Sequence, residues 1–344
     1  MGDLVATPAR APSAELRVEL ERCLAEHFGA PARIRELVRR PCPYRSSFAL
    51  EELEVALEDG KVLELVFKDL GQDALSERAR KVKPLFLHDP IREIDAYRAL
   101  LAPAALGTAT FYGAVVEPER RRYWLFLENI EGAAGLWQFG ELEVWEKAAR
   151  WLARFHFEFS ERSDWRDRAG HLLTYDDRYY EVWPRRAQAF SESSGSAETV
   201  SRSALERLAE RYARVAEHLL ALPATFIHGE FYASNVLMDA GVTRVCPIDW
   251  EIAAVGPGLV DLAALAAGKW TEKERNGLVL AYRGELETLG GSPPPVDDLL
   301  AALDWCRLHL AVRWVGWAPS WSPPREHRHD WLREALSLAE EVEI

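Results

Sequence analysis

The sequence predicts an α+β fold in two parts, an antiparallel-sheet lobe followed by a mainly helical one. Three observations carry that reading. Apolar residues alternate through much of residues 30–127, they recur at helical spacing almost everywhere after Glu131-Gly132, and one strand-rich island, ATFIHGEFYASNVLMDAGVTRVCPIDWE, interrupts the helical part. The expected division is a helical extension over 1–29, a sheet lobe over 30–127 and a helical lobe over 128–344.

In chain order, SAELRVELERCLAEHF (13–28) places Leu16, Leu20, Leu24 and Phe28 on one stripe, with Ser13 as N-cap and Gly29 as stop, the pattern of an amphipathic helix. IRELV, FALEELEVAL and KVLELVFK then alternate, and Asp59-Gly60 between the last two is a two-residue hairpin signal of the type I′ kind, giving three antiparallel strands. Asp89-Pro90 leads into a helical REIDAYRALL, followed by strands at FYGAVV and YWLFLEN. LEVWEKAARWLARFHFEF opens the helical part. SESSGSAETVSRS (191–203) lacks apolar periodicity and reads as a mobile loop or helix connection, while GGSPPPVDD (290–298) reads as a rigid connector before the last helices.

Composition narrows the function classes. With 21 Gly and 19 Pro in 344 residues and 48% apolar residues, the chain is neither collagenous nor low-complexity. It has no uncharged apolar run of membrane-spanning length, and MGDLVATPARAP has neither a signal-peptide pattern nor a myristoylation signal, so a soluble, cytoplasmic protein is expected. Cys23, Cys42, Cys246 and Cys306 are widely spaced and read as reduced, mostly buried thiols. A net charge of −13 argues against nucleic acid and acidic membranes as partners and favours cationic small molecules.

The island carries the chemistry. His228-Gly229-Glu230 is followed by Asn235 and then by Ile248-Asp249-Trp250. If VLM (236–238) and VCPI (245–248) pair around Asp239-Ala240-Gly241, Asn235 enters one strand where Asp249 leaves the other, and both reach one spot. Hard oxygen ligands beside a carboxylate that can face a hydroxyl are what Mg²⁺-assisted phosphoryl transfer needs. Lys68 ends the strand LELVFK, with Glu93 on the following helical segment, matching a strand lysine braced by a helix glutamate. As a strand-terminal lysine, Lys68 is expected to matter for nucleotide use and little for folding.

On these residues the chain resembles the aminoglycoside phosphotransferase and choline kinase family, whose two-lobed fold is similar to that of protein kinases. The resemblance runs from about residue 30 onward, and the family's His-Gly-Asp, four residues and Asn is matched by HGEFYASN, with Glu in place of Asp. It implies ATP and Mg²⁺ as cofactors, Glu230 at the catalytic-base position, Asn235 and Asp249 holding Mg²⁺, and Lys68, braced by Glu93, on the nucleotide phosphates. His228 and Asp261 would hold the catalytic loop through its backbone. In LFLENIEG, backbone groups of Glu128, Asn129 and Ile130 would read the adenine edge, and Val66 would form part of the adenine roof. PCPYRSSF, between the first two strands, has no glycine; Ser46 and Ser47 would offer hydroxyl and N–H donors there, and Arg45 a phosphate-pairing guanidinium.

The expected function is an ATP-dependent kinase acting on a hydroxyl of a small molecule. A protein substrate is disfavoured, because HGE lacks the arginine of His-Arg-Asp and no Ala-Pro-Glu segment follows Asp249. Glu141, Glu143, Glu158, Asp176, Asp177 and Glu181 favour an amine-bearing substrate. The alternative is a pseudokinase that binds a nucleotide or metabolite, against which the joint presence of Lys68, Asn235 and Asp249 argues. His327 and His329 read as surface residues and His156 as a packed core histidine; Trp305, Trp314, Trp317 and Trp321 read as core, with an aromatic wall for an organic cation as the rival.

Overall fold

The computed structural model describes residues 11–42, 47–48, 50–161, 165–194, 199–268, 270–317 and 329–344. The chain divides into two compact units, Met1–Ala133 and Ala134–Ile344.

The first unit is built on a five-stranded antiparallel sheet in the order β1-β2-β3-β5-β4: β1 Ile34–Pro41, β2 Leu50–Leu57, β3 Val62–Asp69, β4 Phe111–Glu117 and β5 Arg122–Glu128. Alternation along the strands sends Leu53, Val55, Leu57, Leu65, Phe67, Val115, Trp124 and Phe126 to one face. Helix α1, Ser13–Phe28, covers that face with Leu16, Leu20, Cys23 and Leu24. Each such leucine contributes roughly 1.5–3 kcal/mol by leaving water, so the helix expected as an extension completes the core of the sheet. Its N-terminus departs from expectation: Pro12 is the capping position and makes no side-chain cap bond, while the Ser13 hydroxyl accepts from Arg39 at 3.0 Å. Gly29 does end the helix, in the left-handed conformation at φ 65°. Phe28 lies outside the stripe, exposed beneath the Lys61 ammonium.

The β2–β3 hairpin forms, but not with a two-residue turn. Leu57 and Lys61 close it with a 2.8 Å bond, leaving Glu58, Asp59 and Gly60 in the loop, and among them Gly60 alone has positive φ, at 93°. A type I′ turn needs positive φ at two successive residues, whereas a three-residue loop needs only the terminal glycine. Between β3 and β4 come α2, Glu77–Val82, and a helical stretch made of α3, Arg92–Asp95, a π-type turn over Ala96–Leu101, and α4, Ala102–Ala104.

The second unit is mainly helical: α5 Leu142–Glu161, α6 Asp177–Ser194, α7 Thr199–Glu210, α8 Tyr212–Leu220, α9 Leu259–Leu265, α10 Glu272–Thr288, α11 Val296–Val315 and α12 Trp331–Glu341. The stretch 191–203, expected as a mobile loop or helix connection, joins two helices, with α6 reaching Ser194 and α7 beginning at Thr199. Two small sheets are set among the helices. In one, β10 (Val245–Pro247) pairs with β9 (Val236–Met238), which pairs with β6 (Ala134–Gly135); in the other, β11 (Ala254–Pro257) lies between β7 (Leu173–Thr174) and β8 (Ala224–Ile227). Cys23, Cys246 and Cys306 are buried and Cys42 is partly exposed. Among the described residues no helix is long and apolar enough to cross a membrane.

Candidate active site

In the first unit, Lys68 lies one residue beyond Phe67 on β3 and therefore on the face opposite the α1-covered core, together with Val66. Its ammonium meets the Glu93 carboxylate of α3 at 2.7 Å. The lysine is 4% exposed and the glutamate 2%. This corrects the expectation of a lysine with little part in folding: a charge this deep is tolerated only because its partner is buried with it. Phe48 adds an aromatic face 5.7 Å from the ammonium.

At the end of β5, the Glu128 carboxylate accepts from the Thr110 N–H and hydroxyl at 2.9 and 2.8 Å. The backbone N–H of Glu128 donates to Thr110 O and that of Asn129 to Glu64 O, while Ile130 O accepts from Ala133 N–H. Of the three expected adenine-reading residues, Glu128 and Asn129 thus have their N–H groups committed within the sheet. Ser47 is described, with its carbonyl accepting from Ser76 N–H at 2.9 Å; Arg45 and Ser46 lie outside the described residues.

The second unit assembles the catalytic-loop residues. Strand β8 delivers His228 and Gly229 at its end. Asp261, in the first turn of α9 and fully buried, accepts the His228 N–H at 2.7 Å and the Gly229 N–H at 2.8 Å, one on each carboxylate oxygen. Gly229 has φ 81°, and a β-carbon there would sit 2.4 Å from Ile252 O, so only glycine fits. The His228 ring spans the loop: Nε2 faces Ile248 O at 2.9 Å and Nδ1 accepts the Glu230 N–H at 3.2 Å. Those two bonds require the neutral ring with its proton on Nε2. His156, on α5, is packed as expected of a core histidine, between Tyr282 (3.0 Å) and Asp261 (3.4 Å).

The expected β9–β10 pairing forms, with Val236 opposite Pro247 and Met238 opposite Val245. The Asp239 carboxylate folds its turn by accepting the Thr243 and Arg244 N–H groups at 2.6 and 2.7 Å. Ile248 N–H donates to Asn235 O at 2.9 Å, which sets Asn235 beside the residue preceding Asp249. The Asn235 side-chain NH₂ donates to Glu230 O at 3.0 Å, so the amide oxygen is the atom it can offer a cation. Asp249 has a left-handed backbone, φ 66°, a conformation that Asp tolerates better than most residues. An amide oxygen and a carboxylate are ligand types that suit a hard divalent cation such as Mg²⁺.

One residue of this cluster escaped sequence reasoning. Arg313, on α11 and 2% exposed, donates from Nη2 to Glu230 Oε1 at 2.8 Å and from Nη1 to Gly229 O at 2.7 Å and the Tyr175 hydroxyl at 3.3 Å. Burial opposes its charge, but nearby tyrosine oxygens and the Glu230 carboxylate outweigh that and hold the guanidinium above its ordinary pKa. Its signal was present in the sequence: a lone charge in the apolar run LHLAVRWV.

Two of the C-terminal tryptophans are ring neighbours, Trp314 and Trp317, with centroids 6.3 Å apart. Trp305 stacks on His218, Trp314 on Trp331, and Trp317 lies parallel to Trp183. Trp321 and His327 lie outside the described residues. His329, expected as a surface residue, is partly buried, paired with Glu334 and set edge-on to Trp331.

Comparison with known proteins gives the family and the fold of the chain. The phosphotransferase enzyme family profile matches residues 51–306. A search of curated proteins finds no match. Among solved structures, a putative aminoglycoside phosphotransferase from Ralstonia eutropha is similar with TM-score 0.59 and 16% identity, over 96% of this chain and 97% of that one. Choline kinase LicA from Streptococcus pneumoniae is similar with TM-score 0.57 and 14% identity, over 95% and 99%. A point mutant of aminoglycoside 2'-phosphotransferase-IIIa, in complex with GDP, is similar with TM-score 0.55 and 15% identity, over 95% and 97%. These identities speak for the kinase-like fold, and the family profile covers most of the chain. With that profile spanning residues 51–306, the chain belongs to the phosphotransferase enzyme family.

Proposed function

We propose that the protein transfers the γ-phosphoryl group of ATP, with Mg²⁺, to a hydroxyl of a small molecule. The observation that carries this reading is the loop from His228 to Asn235, gripped by Asp261, in which Asn235 bonds through its NH₂ to the Glu230 carbonyl and through its own carbonyl to the residue before Asp249. Phosphoryl transfer depends mainly on positioning and charge stabilisation, and a loop fixed at this many points supplies the positioning. Glu230 orients the acceptor hydroxyl and takes up its proton. Asn235 and Asp249 hold the cation, which when bound neutralises charge on the phosphate oxygens. Lys68, kept in place by Glu93, pairs with nucleotide phosphate, while Val66 and the Glu128–Ile130 segment, through the Ile130 N–H, receive the base. Ser47, with Arg45 and Ser46, covers the phosphates.

For the acceptor, we propose an amine-bearing alcohol, supported by the net charge of −13 and the exposed Glu141, Glu143, Asp176 and Asp177. Glu181 adds less to that field, since Arg185 pairs with it at 2.8 Å.

Thermal shift with ATP, with and without Mg²⁺, followed by ADP release over a panel of hydroxylated amines, sugars and antibiotics, tests the reading. At a hundredfold excess over Kd, binding adds about 2.7 kcal/mol. Asp249→Asn is expected to lose most of the Mg²⁺-dependent part. Equal ATP shifts with and without Mg²⁺ in the wild type would remove the metal role of Asn235 and Asp249, and Mg²⁺-dependent binding without turnover would favour a pseudokinase.

A further inference from the structure

We infer that Arg313 is the positioning residue of the catalytic carboxylate, and that this chain works with glutamate at position 230 because the guanidinium fixes the end of the longer side chain. The inference rests on the reading of Glu230 as the acceptor-orienting carboxylate.

Glutamate has one more rotatable bond than aspartate, and a carboxylate that swings on it spends less time aligned with an acceptor hydroxyl. Arg313 removes that freedom. A guanidinium is planar and presents its donors in a fixed fork. Here one arm of the fork holds Glu230 Oε1 at 2.8 Å while the other holds the carbonyl of the preceding residue, Gly229, at 2.7 Å. The side-chain end and the backbone from which it springs are therefore referred to the same rigid group. The group is itself immobilised: the Tyr175 hydroxyl lies 3.3 Å from Nη1, and the rings of Trp183 and Trp317 each lie 5.5 Å from Cζ. An aspartate at 230 would end one methylene short, about 1.5 Å, and lose the bond to Nη2. The arginine also leaves the carboxylate charge-balanced, so an ammonium on the substrate has no reason to settle on Glu230 in place of the hydroxyl.

The test needs no identified acceptor: ADP release from Mg·ATP with water as acceptor, together with the acceptor panel, on the full chain carrying Arg313→Met, Arg313→Lys, Glu230→Gln, Glu230→Asp and the double variant Arg313→Met/Glu230→Gln. Displacing a positioned group by about 1 Å costs on the order of 10²-fold. Arg313→Met is therefore expected to lower kcat about 100-fold with KM for ATP within about threefold, and Arg313→Lys, which keeps the buried charge but not the fork, to recover part of that loss. In the Glu230→Gln background, Arg313→Met is expected to have little further effect on kcat, because both changes remove one interaction. A merely structural arginine would instead lower kcat, ATP affinity and melting temperature together in either background. If Arg313→Met fails to fold, Arg313→Lys and Glu230→Asp decide: wild-type kcat in both overturns the inference. Full activity in Glu230→Gln overturns the role given to Glu230. Loss in Glu230→Gln with none in the Arg313 variants overturns this inference alone. Mg·ATP binding without ADP release under any condition overturns both.

Discussion

Lys68 is the residue whose substitution best separates folding from chemistry. Its ammonium lies 2.7 Å from a glutamate carboxylate, and the two side chains are only 5% and 3% exposed. Lys68→Met keeps the apolar stem and removes the charge, which leaves Glu93 buried without its cation. Breaking a buried pair from one side costs about 3–5 kcal/mol. The escape open to the carboxylate is protonation, and at pH 7 that costs a glutamate of ordinary pKa near 4.3 about 3.7 kcal/mol, the same size. At about 3 °C per kcal/mol for a domain of this length, the melting temperature should fall by about 9–15 °C. Glu93→Leu should be comparably harmful. The double variant Lys68→Met/Glu93→Leu, with neither charge of the pair left, should regain most of the lost stability and yet release no ADP. Thermal melts and ADP release on the four proteins complete a double-mutant cycle. A single variant that melts within about 2 °C of wild type, or a double variant no more stable than the singles, would refute the argument that burial makes this pair interdependent.

Two further predictions follow from buried polar groups in the second unit. Asp261→Asn can accept only one of the two N–H groups that the carboxylate now receives at 2.7 and 2.8 Å, and its NH₂ faces the other. Hydrogen bonds to a charged group contribute roughly 1.5–3 kcal/mol, so a fall in melting temperature of about 5–9 °C and a strong loss of turnover are expected; an unchanged melt would show that the loop does not hang on Asp261. His309 is fully buried, and burial, aided by the charge of Arg313, lowers its pKa from 6.5 to about 3. The unfolded chain therefore binds a proton below about pH 6.5 that the folded one refuses, and stability falls as pH drops through that window. Between pH 6.5 and pH 5 the loss from this one group is about 2 kcal/mol. In His309→Asn the acid limb of a melting-temperature profile should be shallower; an identical slope would contradict a neutral His309.

The strands of the first unit and the end of its first helix were legible because they rest on local rules: alternation of Leu65, Phe67 and their neighbours, and glycine at Gly29. The hairpin around Asp239 was legible for the same reason, its register being fixed by a short polar turn. Errors arose where a local signal competed with a distant contact. Ser13 matches a capping residue, but its hydroxyl is taken by Arg39 of strand β1. Lys68 looks like an exposed strand end until the helix carrying Glu93 is folded against it. Arg313 could be noticed as a charge out of place, but its partner lies 83 residues away, and no spacing rule joins them.

That partnership bears on why a changed residue can sit in an otherwise conventional loop. The bonds that shape the loop run from Asp261 to the N–H groups of His228 and Gly229, from His228 to Ile248 and to the Glu230 N–H, and from Asn235 to the Glu230 carbonyl. All of them pass through the backbone or through side chains other than that of residue 230. A longer acid can therefore be placed there without disturbing the path of the chain. What it lacks is a fixed end, and α11 supplies one through a guanidinium anchored on the same loop at Gly229. The tolerance of the loop and the demand for the arginine thus have one origin: the scaffold is set by the backbone, and only the last atoms of Glu230 require separate control.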